Sequence, residues 1–200
     1  MSYPPGIKPD ALVPIEILSI YNQHSALLPS RMAYLVPDGA QSLADAAAEY
    51  SSESNGTLYL SDAFRSFIAQ AQAHIDYLAG HHMTAQINVF LSLHPELVGY
   101  TPHPKRAYSP PPGGSMHEAG RAIDVDLDAH WSKTPPEVLR DTLVKYGWTT
   151  IADIGDLESW HLEFRGDFQS VYDAVMQEGG TAKMAYRAMV EAAIADIQEG

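Results

Sequence analysis

Four side chains in the second half of the sequence have the types and spacing to hold and use a divalent cation. His117 and Asp124 are seven residues apart, His161 follows 37 residues after Asp124, and Glu158 stands three residues before His161. Two imidazoles and one carboxylate form a three-ligand set that leaves zinc a fourth position for water. Such a site carries a charge of about +1, polarises a carbonyl and lowers the pKa of its water toward about 7. Glu158, outside the ligand set, is suited to take the water's proton and later deliver it to a leaving amine. The sequence has no Cys and nine His, so any metal must be held by imidazole and carboxylate. Asp126 and Asp128 are rivals to Asp124 as the ligand. Glu163 shares a strand face with His161 and is the rival to Glu158 as the base. The other seven His (24, 74, 81, 82, 94, 103 and 130) lack a partner spacing and are read as structural.

The elements that must position these residues follow from pattern. Ile123, Val125 and Leu127 alternate with Asp124, Asp126 and Asp128, which predicts a strand with one apolar and one carboxylate-bearing face. Trp160 to Phe164 is a second strand. Between the chemistry and the N-terminal part lies Thr101 to Gly114, with five Pro and two Gly in fourteen residues, which excludes regular structure and predicts a loop that is either functional or disordered. The loop is expected to edge the cleft or close over it, with Lys105, Arg106 and Arg121 as nearby cations. Ala11 to Tyr50 is read as helical pieces, Thr57 to Leu60 as a short strand, and Ser61 or Asp62 as the cap of a helix carrying Phe64, Phe67, Ile68, Ala71, Ile75 and Leu78. Pro136 to Tyr146 fits a short helix ended by Gly147, and Thr181 to Gly200 a packing helix. Strands and helices mix without a regular strand–helix repeat, so the fold class is α+β: a small antiparallel sheet flanked by helices, as one domain. Residues 1–56 are taken as its helical N-terminal part, 57–168 as the chemical core, and 169–200 as C-terminal helices packed on that core.

Ser115-x-His117-x-x-Gly120-x-Ala122-x-Asp124 matches in full the S-x-H-x-x-G-x-A-x-D signature of the LAS zinc metallopeptidases. This group includes D-alanyl-D-alanine carboxypeptidases and dipeptidases, L-alanyl-D-glutamate endolysins and the hedgehog signalling domain. Glu158-Ser159-Trp160-His161 resembles the downstream E-x-W-H element of the carboxypeptidase branch, and Ser61-Asp62-Ala63-Phe64-Arg65-Ser66 with Gln70 resembles its S-G-Y-R-S…Q element. The three occur in the family's order and span about half the chain. The resemblance implies one Zn2+ per chain on His117, Asp124 and His161, with Glu158 as general base and acid. It further implies that Arg65 stabilises an oxyanion, and that Ser115 and Gln70 bind substrate. Two departures stand out: Asp62-Ala63 replaces the glycine-containing step before Arg65, and Ser159 stands where that branch often has proline.

The implied activity is hydrolysis of peptidoglycan stem peptides or other D-Ala-terminated peptides, of D-Ala-D-Ala carboxypeptidase type. The alternatives are an L-alanyl-D-glutamate endopeptidase acting as a phage lysin and a non-catalytic zinc-binding module. With Lys+Arg 12 against Asp+Glu 25 the net charge is −13, which disfavours nucleic acid and anionic membranes as partners. A carboxylate-bearing peptide would also be repelled at long range, so local cations must bind it. A monomer is expected. No apolar run reaches the length of a membrane helix and MSYPPGIKPD lacks a secretory pattern. The expectation is synthesis in the cytoplasm, with action there or on the cell wall after signal-independent release.

Overall fold

The computed structural model describes residues 10–16, 32–128, 130–151 and 158–199, and the helical pieces expected over 17–31 lie outside the described residues. In chain order the elements are β1 (Val13–Glu16), β2 (Met32–Leu35), α1 (Pro37–Ser54), β3 (Leu60–Asp62), α2 (Phe67–Gly80), α3 (Thr84–Leu93), β4 (Ala122–Val125), α4 (Glu137–Lys145), β5 (Trp148–Thr150), β6 (His161–Phe164), α5 (Gln169–Gln177) and α6 (Ala182–Glu199). The architecture is α+β in one domain. Its main sheet is antiparallel with strand order β3-β4-β6-β5, and β1 pairs with β2 in a separate antiparallel pair.

The sheet has two unlike faces because side chains alternate along its strands. Ile123, Val125 and Leu162 point into a core shared with Leu43 and Ala46 of α1 and with Leu139 of α4. Each fully buried side chain of this kind contributes about 1.5–3 kcal/mol. On the opposite face stand Ala122, Asp124, His161 and Glu163. Ala122 packs with Met116 and Ala119 against Ala185, Met189 and Val190 of α6. The polar face is therefore roofed by α6 at one end.

Three expectations need correction. The segment from Ala11 to Tyr50 is not helical throughout: 13–16 and 32–35 are strands, and among its described residues the helix is α1. Pro14 is tolerated in β1 because, among the described residues, that strand pairs on one side alone. The cap of α2 is Ser66, whose hydroxyl accepts from Ala69 N–H at 3.2 Å, while Ser61 and Asp62 belong to β3. Consequently Phe64 precedes the helix and Phe67 and Ile68 are exposed, the buried face being Gln70, Ala71, Ile75 and Leu78. Finally, β4 stops at Val125, and both of its faces are buried.

Candidate metal centre

The motif Ser115–Asp124 is a tight turn followed by a strand, and each of its residues has a local reason. Ser115 Oγ accepts from His117 N–H at 3.3 Å, and Gly120 N–H donates to the His117 carbonyl at 3.1 Å. Gly120 adopts φ +64°, and a Cβ there would lie 2.5 Å from Leu12 Cδ2, so both conformation and space demand glycine. Ala122 is small because α6 packs over it. The turn delivers His117 over the strand that carries Asp124, and sheet pairing places Asp124 directly opposite His161.

Among the described residues one group of His, Asp and Glu side chains could hold a metal ion: His117, Asp124 and His161, all buried. His117 Nε2 lies 3.2 Å from Asp124 Oδ1 and 3.2 Å from His161 Nδ1, and His161 Nδ1 lies 2.9 Å from Asp124 Oδ1. Ligand arms of 2.0–2.1 Å in a tetrahedron would separate donor atoms by about 3.3 Å, so this triangle has the size of a zinc face.

The outer nitrogens decide which atoms point inward. His117 Nδ1 bonds the Ala63 carbonyl, which can only accept, so Nδ1 carries the proton and Nε2 presents its lone pair. His161 Nε2 lies 3.3 Å from Glu163 Oε1, a carboxylate oxygen, so in the neutral ring Nδ1 faces the triangle as an acceptor. Three electron pairs thus converge on one point, an arrangement that a cation or an added proton must stabilise. In the metal-free protein that proton has a holder. Burial opposes the His161 imidazolium, but hydrogen bonds to Asp124 and Glu163 outweigh it and push its pKa up to about 10. Burial likewise favours neutral Asp124, yet the two imidazoles hold it well below the ordinary carboxylate range.

Arg65 lies beside this triangle. It donates from Nε to Asp62 Oδ2 at 2.7 Å, from Nη2 to Asp124 Oδ2 at 3.1 Å and from Nη1 to Gln70 Oε1 at 3.3 Å. Burial weakens the cation, but Asp62 and Asp124 prevail and raise its pKa above the ordinary value, with Glu158 adding to the effect. Glu158 is half-buried at the start of the turn into β6, where its carbonyl accepts from His161 N–H at 3.1 Å. Its charge also acts on Tyr108, whose phenol is raised by burial, Tyr77 and Glu158 in that order. Glu158 thus acts electrostatically on both Arg65, which bonds Asp124, and the exposed Tyr108.

Other residues fall differently from expectation. Asp126 is buried with its N–H on the Tyr59 carbonyl, and Asp128 is exposed, so neither joins the triangle. Glu163 is wholly buried behind His161, on the far side from the ligand atoms. Gln70 and Ser115, expected to bind substrate, are both buried: Gln70 donates to Ser109 Oγ at 3.0 Å and to the Pro110 carbonyl at 2.8 Å, fixing the Pro-rich loop to Arg65. His74 bonds the Ser109 carbonyl, and Asp76 accepts from His103 N–H, so the loop is held on α2 at several points. Arg121 is buried against Phe168 and Asp38 and does not approach the centre.

Sequence reasoning missed Asp62, which clamps Arg65, although its departure from the glycine pattern was the signal. It also missed Glu118, which accepts from Gly113 N–H at 2.8 Å and ties the loop's end to the His117 turn. Burial pushes Glu118 up to about 7, against the backbone N–H groups of 113–115. No helix among the described residues is long and apolar enough to cross a membrane.

Two solved structures are similar to this chain at low sequence identity. The structure of the LdcB LD-carboxypeptidase, described for its peptidoglycan recognition, overlays with a TM-score of 0.51 at 17% identity, covering 92% of this chain and 81% of that one. This chain shares its fold. VanY, a D,D-pentapeptidase from a VanB-type resistance cassette solved with Zn(II), gives a TM-score of 0.48 at 16% identity, covering 78% of this chain and 86% of that one. No protein-family model and no curated protein matches the sequence.

Proposed function

We propose that this chain is a zinc-dependent peptidase that removes a terminal D-alanine from peptidoglycan stem peptides. The carrying observation is the convergence of three lone-pair donors, His117 Nε2, Asp124 Oδ1 and His161 Nδ1, beside a cation and a half-buried carboxylate. Bound by these three residues, one Zn2+ would supply a Lewis acid for the scissile carbonyl and acidify a water. Glu158 takes that water's proton and returns it to the leaving amine. Arg65, three of whose five N–H donors are already engaged by Asp62, Gln70 and Asp124, is held rigid, so its fork meets the developing oxyanion with little reorganisation. Tyr108 and the anchored Pro-rich loop form the wall beside them.

The family motifs favour a D-Ala-D-Ala carboxypeptidase. The fold shared with an LD-carboxypeptidase supports a second reading, loss of a terminal D-alanine that is bonded to an L-residue. Mass spectrometry of purified muropeptides after incubation separates the readings. Pentapeptides shortened by one alanine support the first, and tetrapeptides shortened by one alanine support the second. Release at the first stem residue would indicate the L-alanyl-D-glutamate endopeptidase, and unchanged muropeptides a non-catalytic zinc-binding module.

A further inference from the structure

The hydrogen bonds behind His161 extend to the last helix. Glu163 is fully buried, and its two carboxylate oxygens are used differently. Oε2 accepts from Arg165 Nε at 2.9 Å, which balances the charge. Oε1 receives both His161 Nε2 and the hydroxyl of Tyr186, from α6. The tyrosine therefore pins the same oxygen that orients the imidazole.

Its own position is well fixed. Ala185, Met189 and Val190 of α6 are fully buried against Met116, Ala119 and Ala122, residues of the turn and strand that carry His117 and Asp124. Arg165 lies over the ring of Tyr186 at 5.9 Å and over that of Tyr172 at 5.5 Å. One helix thus braces the apolar side of the His117 turn and, through Tyr186 and Glu163, the outer nitrogen of His161.

We propose that Glu163 and Tyr186 are positioning residues that set the metal affinity of the centre. Glu163 fixes the tautomer and ring orientation of His161, and Tyr186 fixes Glu163. The inference rests on the reading of His117, Asp124 and His161 as zinc ligands. A purely architectural role for the Glu163–Arg165 pair would tie α5 and α6 to the sheet without affecting zinc.

The test is zinc affinity of the metal-stripped full chain, measured by competition with a chromophoric chelator, together with the melting temperature of each metal-free protein. Glu163→Gln should weaken zinc binding about 10- to 100-fold, the usual cost of losing such a partner. Tyr186→Phe, which deletes one oxygen, should weaken it about 10-fold or somewhat less. Ile197→Val, a change at the far end of the same helix in a separate apolar cluster with Leu12 and Val36, should lower the melting temperature and leave zinc affinity unchanged. If Glu163→Gln does not fold, Tyr186→Phe carries the test. A wild type that binds zinc while the folded Glu163 and Tyr186 variants bind it equally well overturns the inference alone. A wild type that takes up no zinc overturns the ligand reading and this inference with it.

Discussion

The two flanks of the metal centre are built on opposite principles. Behind His161, Glu163 and Arg165 are buried, with side-chain exposures of 0% and 5%, and a helix closes over them. Beside Asp124, Arg65 and Asp62 keep 19% and 36% of their side-chain surface, and Tyr108 is 54% exposed. Both flanks pair a cation with carboxylates, but only the second has its charges within reach of a solute. The deep flank is suited to hold a metal, and the shallow flank to meet a substrate. Changes to the first should act on metal affinity, and changes to the second on turnover.

The largest effect should come from removing a ligand common to both flanks. Asp124→Ala is expected to lose zinc and thermal stability together, because metal binding is linked to folding. Where zinc stands 1,000-fold above its Kd, the stabilisation lost is about 4 kcal/mol. Metal analysis and calorimetry check this, and a variant that keeps its zinc would remove Asp124 from the ligand set. On the shallow flank, Arg65→Ala should lower kcat about 10²- to 10³-fold with zinc content unchanged. An effect confined to KM would recast Arg65 as a substrate anchor.

The difference between flanks also has a pH signature. The folded-state pKa of His161, about 10, lies above its ordinary 6.5. Its contribution to metal-free stability is therefore fully present below about 6.5 and is lost as pH rises through about 10. Zinc takes the proton's place, so uptake near pH 7 should release protons, which calorimetry in buffers of different ionisation enthalpy detects. Proton-free uptake would contradict the geometry assigned to His161. The smallest effect concerns the loop. Gln70→Ala should cost about 1–3 kcal/mol of stability through unmet buried partners, leaving zinc in place. Loss of zinc would show that the loop supports the centre itself.

Much of this arrangement could be read from spacing. The ten-residue motif from Ser115 to Asp124 contains its own turn, so local sequence specifies where His117 and Asp124 go, and the Glu158–His161 spacing does the same for the second strand. The α6 face and the α4 stop at Gly147 were legible for the same reason: a long period or a left-handed glycine marks them. Strands of four residues carry no such period, and Val13–Glu16 and Met32–Leu35 are strands because they pair with each other. Ser61 and Ser66 are equally good caps, and pairing of Leu60 with Val125 decides between them. The contact of Tyr186 with Glu163 was illegible because it joins residues 23 apart on different elements. Asp62, 62 residues before its strand partner Asp124, was visible only as a departure from a pattern.

The most direct test is the parallel measurement of zinc content and D-alanine release by wild type and Glu158→Ala. One zinc per chain in both, with release lowered at least about 10²-fold in the variant, is the expected result. Equal release by the two proteins, or a wild type that releases alanine without bound metal, would contradict a zinc peptidase in which Glu158 moves the proton.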